Sequence, residues 1–324
     1  MKIFRRQVLF AFAAAACAVP GWAQDNYPSR PVSIVVPFPA GGVVDVVARM
    51  VGQKMSAALG APIVIENKAG AGGTIGAAYV AKARPDGYTI LLGGSATQVF
   101  GPVLYKKLQY DASKDFVPVG QISSGPLVLV TGSKVPSTDV PQLTKYLREQ
   151  GVRAFYGSNG NGTFPHLAGE MFKQANNLSS AHIPYSGGPA ALTALISGDL
   201  AFSINHIPVI QGMVTSGKLR ALATTGKKRS VAFPDLPTLN EVGMKDFEAS
   251  AWWGLFAPAE TPVEVVKKLN DALAVALKDP GVRAGLERQG DEVAYSSPKD
   301  FGAYVQAETA KWTKVVKIAD LRLD

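Results

Sequence analysis

The sequence contains few of the residues that build metal centres and disulfides. It has one cysteine and three histidines in 324 residues. One cysteine cannot form an internal disulfide or an iron–sulfur cluster, and no two histidines have the spacing of a metal-ligand pair. We therefore expect no metal ion and no cofactor.

Charged residues and long apolar runs are also scarce. Charged residues make up 18% of the chain and apolar residues 47%, which is too apolar for a disordered protein. Beyond the first 23 residues, no run reaches the roughly 18 apolar residues of a membrane-spanning helix. At about 150 residues per domain, this length predicts one or two domains.

The first 23 residues have the pattern of an export signal. Lys2 and the Arg5-Arg6 pair precede an apolar stretch at 8–19, and Gly21-Trp22-Ala23 is a small-x-small cleavage site. We predict a signal peptide at 1–23 and export to the periplasm. The adjacent arginines leave open whether export follows the general or the twin-arginine route.

Removal of this signal changes the charge and the cysteine count. Lys and Arg fall from 33 to 30 while Asp and Glu stay at 25, so the net charge drops from +8 to +5. Cys17 is lost with the signal, unless it is a lipid attachment site. The remaining basic residues are scattered and form no nucleic-acid motif, so we expect no nucleic-acid partner. A mildly positive surface attracts small anions.

Strand and helix signals alternate through most of the chain. Val32–Val36 is a β-branched run typical of a buried strand, and apolar residues then recur at helical spacing until Gly60. Similar pairs follow up to a strand at 251–256, after which we predict helices and no further strand. This alternation predicts an α/β fold with a parallel or mixed sheet.

Four glycine-rich segments each precede a predicted helix, at 37–45, 69–74, 157–164 and 185–190. In an open α/β sheet such loops lie at the carboxyl ends of the strands, where ligands bind. Their amides and the following helix N-termini suit a carboxylate or a phosphate. No P-loop occurs, and Ile75 stands where a dinucleotide fingerprint needs glycine, so we expect no nucleotide.

Three polar residues in or just after these loops bear on function, and two of them, Asp45 and His166, have more than one interpretation. Asp45, which we place at the start of the first helix, either caps that helix or orients the loop amides towards a ligand. His166 is either a ligand contact or a structural cap. Ser158 lies in Gly-Ser-Asn-Gly and not in a G-x-S-x-G nucleophile elbow, so we expect that this protein is not an enzyme. An exported hydrolase of carboxylate esters and a basic surface-binding protein remain the alternatives.

Several motifs together resemble a known family. In order along the chain, they resemble those of the Bug-type extracytoplasmic solute receptors, the substrate-binding proteins of tripartite tricarboxylate transporters. The motifs are Val35-Val36-Pro37-Phe38-Pro39-Ala40-Gly41-Gly42-x-x-Asp45, Glu66-Asn67-Lys68-Ala69-Gly70-Ala71-Gly72-Gly73, Tyr156-Gly157-Ser158-x-Gly160-x-Gly162-Thr163-x-x-His166-Leu167 and Pro184-Tyr185-x-Gly187.

The resemblance implies a two-lobed periplasmic binding protein fold, type II-like, with the ligand cleft between the lobes. Residues 24–124 and 254–324 would form lobe 1, and residues 125–253 would form lobe 2. It also implies a monomer that captures a small carboxylate by lobe closure and delivers it to a membrane permease.

We predict fifteen ligand-binding residues: thirteen carry over from the family's positions, and Val43 and Phe164 are added where this sequence departs from the family. Most belong to lobe 1 and the rest to lobe 2. The lobe 1 residues are Phe38, Ala40, Gly41, Gly42, Val43, Asp45, Gly72, Gly73, Ser95 and Thr97, and the lobe 2 residues are Ser158, Thr163, Phe164, His166 and Asn205.

This sequence departs from the family pattern at three places. Val43-Val44 replaces small or polar residues, Phe164 adds an aromatic ring, and Asn205 stands where aspartate is frequent. Loss of an acid removes a partner for a ligand ammonium group. We therefore expect a dicarboxylate without an amine, with an apolar or aromatic body, such as terephthalate. The alternative is that the three apolar side chains pack into the core.

Overall fold

The structure, a computed structural model, describes residues 27–323, which contain ten strands and ten α-helices. The predicted signal peptide and Cys17 lie outside these residues. The strands are β1 (Val32–Val36), β2 (Ile63–Asn67), β3 (Thr89–Gly94), β4 (Phe116–Gly132), β5 (Phe155–Ser158), β6 (Ala181–Pro184), β7 (Phe202–His206), β8 (Leu219–Thr224), β9 (Ser250–Pro258) and β10 (Glu292–Val293).

The helices connect these strands and cover the sheet. They are α1 (Val43–Leu59), α2 (Thr74–Ala81), α3 (Gly101–Leu104), α4 (Val140–Gln150), α5 (Phe164–Asn176), α6 (Gly188–Ser197), α7 (Ile207–Thr215), α8 (Val263–Lys278), α9 (Pro280–Arg288) and α10 (Pro298–Ile318). A π-helical segment at Ala96–Phe100 follows β3. Within residues 27–323, none of the helices has both the length and the apolar character needed to cross a membrane.

The strands form one mixed sheet in the order β2-β1-β3-β9-β4-β7-β5-β6, with β8 and β10 paired to β4. In the first half of the sheet, β1, β2 and β3 are parallel, and in the second half β5, β6 and β7 are parallel. The antiparallel strands β4 and β9 lie between these groups. The predicted α/β class is confirmed.

Strand β4 runs through both halves of the sheet. Residues 116–126 pair with β9, and residues 127–132 pair with β7 and β8. The predicted lobe boundaries at 124/125 and 253/254 fall inside β4 and β9, and the division into lobes stays a prediction. From the sequence we expect a strand only at 127–130, because Gly125 and Pro126 interrupt the apolar run.

Two local predictions were wrong and one is confirmed. Helix α1 begins at Val43 and not at Asp45, because Gly42 is the extended N-cap residue. The two-residue strand β10 lies among the C-terminal helices, where we expect no strand; it is paired with Ser123 and Ser124. Gly60 ends α1 in the left-handed conformation at φ +67°, as predicted.

The largest hydrophobic cluster takes residues from both halves of the sheet. Trp312 of α10 is fully buried in it, and its ring centroid lies 5.2 Å from those of both Phe100 and Phe164. Phe100 follows β3 in the first half, whereas Phe164 begins α5 in the second half. Trp312 therefore joins the two halves through side-chain packing.

Trp312→Ala should destabilise the fold by about 3–5 kcal/mol, because it removes a buried aromatic side chain and leaves a cavity. Urea denaturation measures the free energy of unfolding. The control is Ile318→Ala in the same helix, where the side chain is 70% exposed and the expected change is within about 0.5 kcal/mol. Equal effects of the two substitutions would contradict the joining role of Trp312.

Candidate functional site

The first loop, Pro37–Gly42, connects β1 to α1 and exposes its backbone. Ala40, Gly41, Gly42 and Val43 are all exposed. Gly41 has φ +80°, a conformation that glycine adopts without strain. No group among the described residues accepts the N–H groups of Val43 and Val44, which open the first turn of α1. These amides are available to an anionic ligand.

Asp45 fixes the first loop. Its carboxylate is 2% exposed and accepts hydrogen bonds from Gly41 N at 2.9 Å, from Asn67 Nδ2 at 2.9 Å and from Arg49 Nε at 2.8 Å. The Arg49 hydrogen bond and these donors lower the pKa of Asp45 to about 2. Of the two interpretations of Asp45, the geometry therefore favours orientation of the loop backbone.

The second loop, Gly70–Gly73, contains three glycines with positive φ, at +135°, +65° and +97°. A Cβ atom built at Gly73 would lie 2.9 Å from Thr97 Cγ2 and 3.3 Å from Phe38 Cζ. Only glycine permits so close an approach. Gly73 thus brings together three predicted site residues from three different loops, while Gly72 lies on the exposed side of the second loop.

Ser95 follows β3 and carries a buried hydroxyl group without a partner. The residue is 4% exposed, and its Oγ makes no hydrogen bond to any described residue. A buried unpaired polar group costs about 1–3 kcal/mol. The neighbouring Thr97 hydroxyl donates to Gly94 O at 3.3 Å. Among the predicted site residues, Ser95 has a buried hydroxyl whose free energy would fall most if a ligand accepted its hydrogen bond.

In the second half of the sheet, a glycine loop between β5 and α5 is held by side chains. Thr163 Oγ1 donates to Gly160 O at 2.8 Å, and Ser158 Oγ donates to the same carbonyl at 2.9 Å. His166 Nδ1 accepts the N–H of Gly162 at 3.0 Å. His166 is thus a cap for this loop, which agrees with its structural interpretation.

His182 is a neighbour of the site that the sequence analysis does not single out. Its Nε2 lies 2.7 Å from Ser158 Oγ, and its ring stacks on that of His166 at 3.8 Å. Strand β6, which carries His182, pairs with β5, which carries Ser158. The sequence signal is weak, because β6 is only four residues long and reads as part of the turn before Tyr185.

Phe164 and Asn205 complete the predicted set. Phe164 is 8% exposed and packs between Phe100 and Trp312, and Val44 is 7% exposed, whereas Val43 is 41% exposed. Asn205 is 2% exposed and donates from Nδ2 to Ser203 Oγ at 2.7 Å. Because Phe100 follows Thr97 by three residues, the Phe100–Phe164 contact places the start of α5 beside the segment after β3.

The described residues contain no group of three or more His, Cys, Asp or Glu side chains placed to hold a metal ion.

The profile of the family TctC, the tripartite tricarboxylate transporter family receptor, matches residues 47–321. This chain belongs to that family. Protein BugT of Bordetella pertussis is 33% identical over 317 residues, which cover 98% of this chain and 97% of BugT.

Two solved structures are similar to this receptor in both sequence and fold. R. palustris Rpa4515 with adipate has a TM-score of 0.79 and 34% identity, covering 92% of this chain and 99% of that chain. MatC from Rhodopseudomonas palustris with bound malate has a TM-score of 0.75 and 34% identity, covering 90% of this chain and 100% of that chain. The predicted periplasmic binding protein fold is confirmed.

Three histidines in and near the site should make the stability of the fold sensitive to acid. Burial lowers the pKa of His166 to about 4, of His182 to about 3 and of His206 to about 4. In the unfolded chain these side chains titrate near about pH 6.5. As the pH falls below that value the unfolded state binds protons first, so stability should be lost between about pH 6.5 and 4.

Asp291, beside β4, should act in the opposite direction. It accepts a hydrogen bond from Ser123 Oγ at 2.8 Å, and burial raises its pKa to about 7. The folded state therefore takes up this proton first on acidification, which adds stability. Asp291→Asn should raise the urea midpoint at about pH 8 and steepen its fall between about pH 6.5 and 5. A variant whose stability changes with pH as the wild type's does would contradict the raised pKa of Asp291.

Proposed function

We propose that this receptor resides in the periplasm, captures a small dicarboxylate without an amine and delivers it to the permease of a tripartite tricarboxylate transporter. One observation carries the proposal: the groups left without partners at the site are neutral donors. They are the N–H groups of Val43 and Val44 and the hydroxyl of Ser95. Neutral donors at a helix N-terminus suit a carboxylate. The relatives described with adipate and malate support this substrate class.

A ligand with an amine needs an acidic side chain to pair with its ammonium group, and neither Asp45 nor residue 205 provides one. Asp45 is committed to Gly41, Asn67 and Arg49, so its carboxylate is not available to a ligand ammonium group. Residue 205 is a neutral asparagine whose Nδ2 donates to Ser203. An ammonium group would lose its hydration without gaining an anionic partner, which costs free energy.

The body of the ligand is proposed to be apolar or aromatic, as in terephthalate. Val43 is exposed beside the free amides of α1. Phe38 is half-buried next to Gly73, and its ring centroid lies 6.3 Å from that of Trp253 in an edge-to-face arrangement. Aromatic side chains stabilise an aromatic ligand by stacking or edge contacts. Phe164 packs in the core and is a support for the site in this arrangement.

Capture is proposed to occur by closure of residues 24–124 and 254–324 onto residues 125–253. The chain passes between these units along β4 and β9, and strands of this kind bend as hinges in binding proteins.

We propose a monomer that does not bind nucleic acid. The Lys227-Lys228-Arg229 cluster is exposed, and its arginine pairs with Glu241.

An exported hydrolase is the second candidate, and the Ser158–His182 contact of 2.7 Å favours it. However, Ser158 is fully buried, and its hydroxyl is held by the backbone of Gly160. No carboxylate of the described residues bonds to His182. A nucleophile needs access to substrate and an oriented base. We therefore propose that the pair supports the loop and that the protein is not an enzyme.

A thermal-shift panel tests the ligand class. Adipate, malate and terephthalate are compared with aspartate and glutamate, and adipamide is the control that lacks both carboxylates. Ligand at 100-fold excess over Kd stabilises the folded state by about 2.7 kcal/mol, so at least one amine-free dicarboxylate should raise Tm by several degrees. A rise in Tm with the amino acids alone would contradict the proposal.

Gly41→Val should weaken ligand binding at least about tenfold, since valine rarely adopts positive φ. The loop would then change conformation, breaking the Gly41–Asp45 hydrogen bond and turning the free amides of α1. Gly60→Val is the matched control: Gly60 also has positive φ and nothing within 4 Å of an added Cβ, but it ends α1 away from the site. Calorimetric titration should show loss of affinity only for the Gly41 variant. Equal affinities would remove the first loop from the site.

A further inference from the structure

A groove of about 540 Å³ lies between α2 and the segment Tyr105–Gln109. Its apolar surface includes two large residues that α2 presents to solvent, Ile75 at 54% exposure and Tyr79 at 47% exposure. Leu108 contributes from the opposite wall. Large apolar side chains exposed together in a concave surface are typical of a docking site. We call this surface the α2 groove.

The charge at the α2 groove is positive. Lys82 and Lys107 line it, and none of the residues lining it is acidic. Lys68 adds a third positive charge, because its Nζ lies 4.0 Å over the Tyr79 ring, although Glu66 lies 3.5 Å from the same ammonium group. Within residues 27–323, Lys82 donates only to the neutral side chain of Gln109, at 3.4 Å. The α2 groove is therefore complementary to an acidic partner that also carries apolar side chains.

The α2 groove is continuous with the second loop of the predicted ligand site. Ala71 and Thr74 line the groove, and Ile75 packs so closely on Gly70 that an added Cβ there would lie 2.5 Å from Ile75 Cδ1. Three residues after Gly70, Gly73 contacts Phe38 and Thr97. A partner seated on Ile75 therefore bears directly on the loop that shapes the ligand site.

We infer that the α2 groove docks an acidic, apolar segment of the membrane permease. The identity of the partner as the permease rests on the proposed function. The chemistry of the segment rests on the lysines and apolar residues of the groove. The occupant is a protein segment and not a lipid surface, because a groove that exposes Ile75 and Tyr79 beside its lysines accepts protruding apolar side chains together with acidic ones.

The test is an NMR titration of ¹⁵N-labelled mature protein with a synthetic amphipathic peptide of leucine and glutamate. The expected result is that amide signals of residues 74–82 and 105–109 shift, and that the shifts weaken as salt is added. A charge-reversed peptide with lysine in place of glutamate should produce no such shifts. The double variant Lys82→Glu, Lys107→Glu should bind the acidic peptide at least about tenfold more weakly.

The control is Lys218→Glu, Lys278→Glu, which changes the charge equally at exposed lysines outside the groove and should leave peptide binding unchanged. The inference is overturned if the shifts map elsewhere or if both peptides bind alike. It is also overturned if the groove variant binds normally, or if phosphatidylglycerol vesicles shift the groove signals while the acidic peptide does not. Titration of the same samples with adipate and terephthalate reports on the ligand class separately, so either proposal can fail alone.

Discussion

The arrangement of the site depends on one buried carboxylate. The exposed glycines of the first loop cannot be held in place by side-chain packing, so polar contacts must fix the loop. Asp45 does so by accepting hydrogen bonds from the loop backbone at Gly41, from Asn67 at the end of β2 and from Arg49 in the next turn of α1. A desolvated carboxylate is tolerated only when it is bonded in this way. The same contacts that offset its burial therefore orient the amides of α1, and because they lower the pKa of Asp45 to about 2, the carboxylate is ionised at neutral pH.

Close packing then brings the other loops to this fixed point. Gly73 lets the second loop touch Phe38 and Thr97, and the chain continues from Thr97 to Phe100, whose ring packs on Phe164. These contacts connect the ordered first loop to the start of α5 without any ion pair. Because the links are aromatic and backbone contacts, they are insensitive to salt, and the polar groups of the site remain available to a ligand. Trp312 packs on both Phe100 and Phe164 and so stabilises their contact.

The parts of the fold that depend on local pattern were predictable, and those that depend on distant residues were not. The β-branched run at Val32–Val36 and the stop at Gly60 are local signals, and both predicted their elements. The orienting role of Asp45 depends on Gly41 nearby and also on Asn67, which lies 22 residues away along the chain. His182 meets Ser158 through the pairing of β5 with β6, which no sequence periodicity reports. Strand β4 was underestimated because its glycines and prolines, which usually end strands, are accommodated here where the chain passes between the two halves of the sheet.

Under the proposed function, neutral donors give the receptor reversibility as well as recognition. A cationic side chain facing the ligand would bind a dicarboxylate strongly, but it would need a counter-charge or would suffer desolvation in the empty state. Here Arg49 is already paired with Asp45, and the Ser95 hydroxyl has no partner among the described residues. A ligand oxygen that accepts a hydrogen bond from this hydroxyl would remove the cost of burying it unpaired, which would add to the binding free energy. Since the second loop belongs both to this site and to the α2 groove, a partner that displaces Ile75 can alter the support of Phe38 and Thr97, which couples release of the ligand to docking.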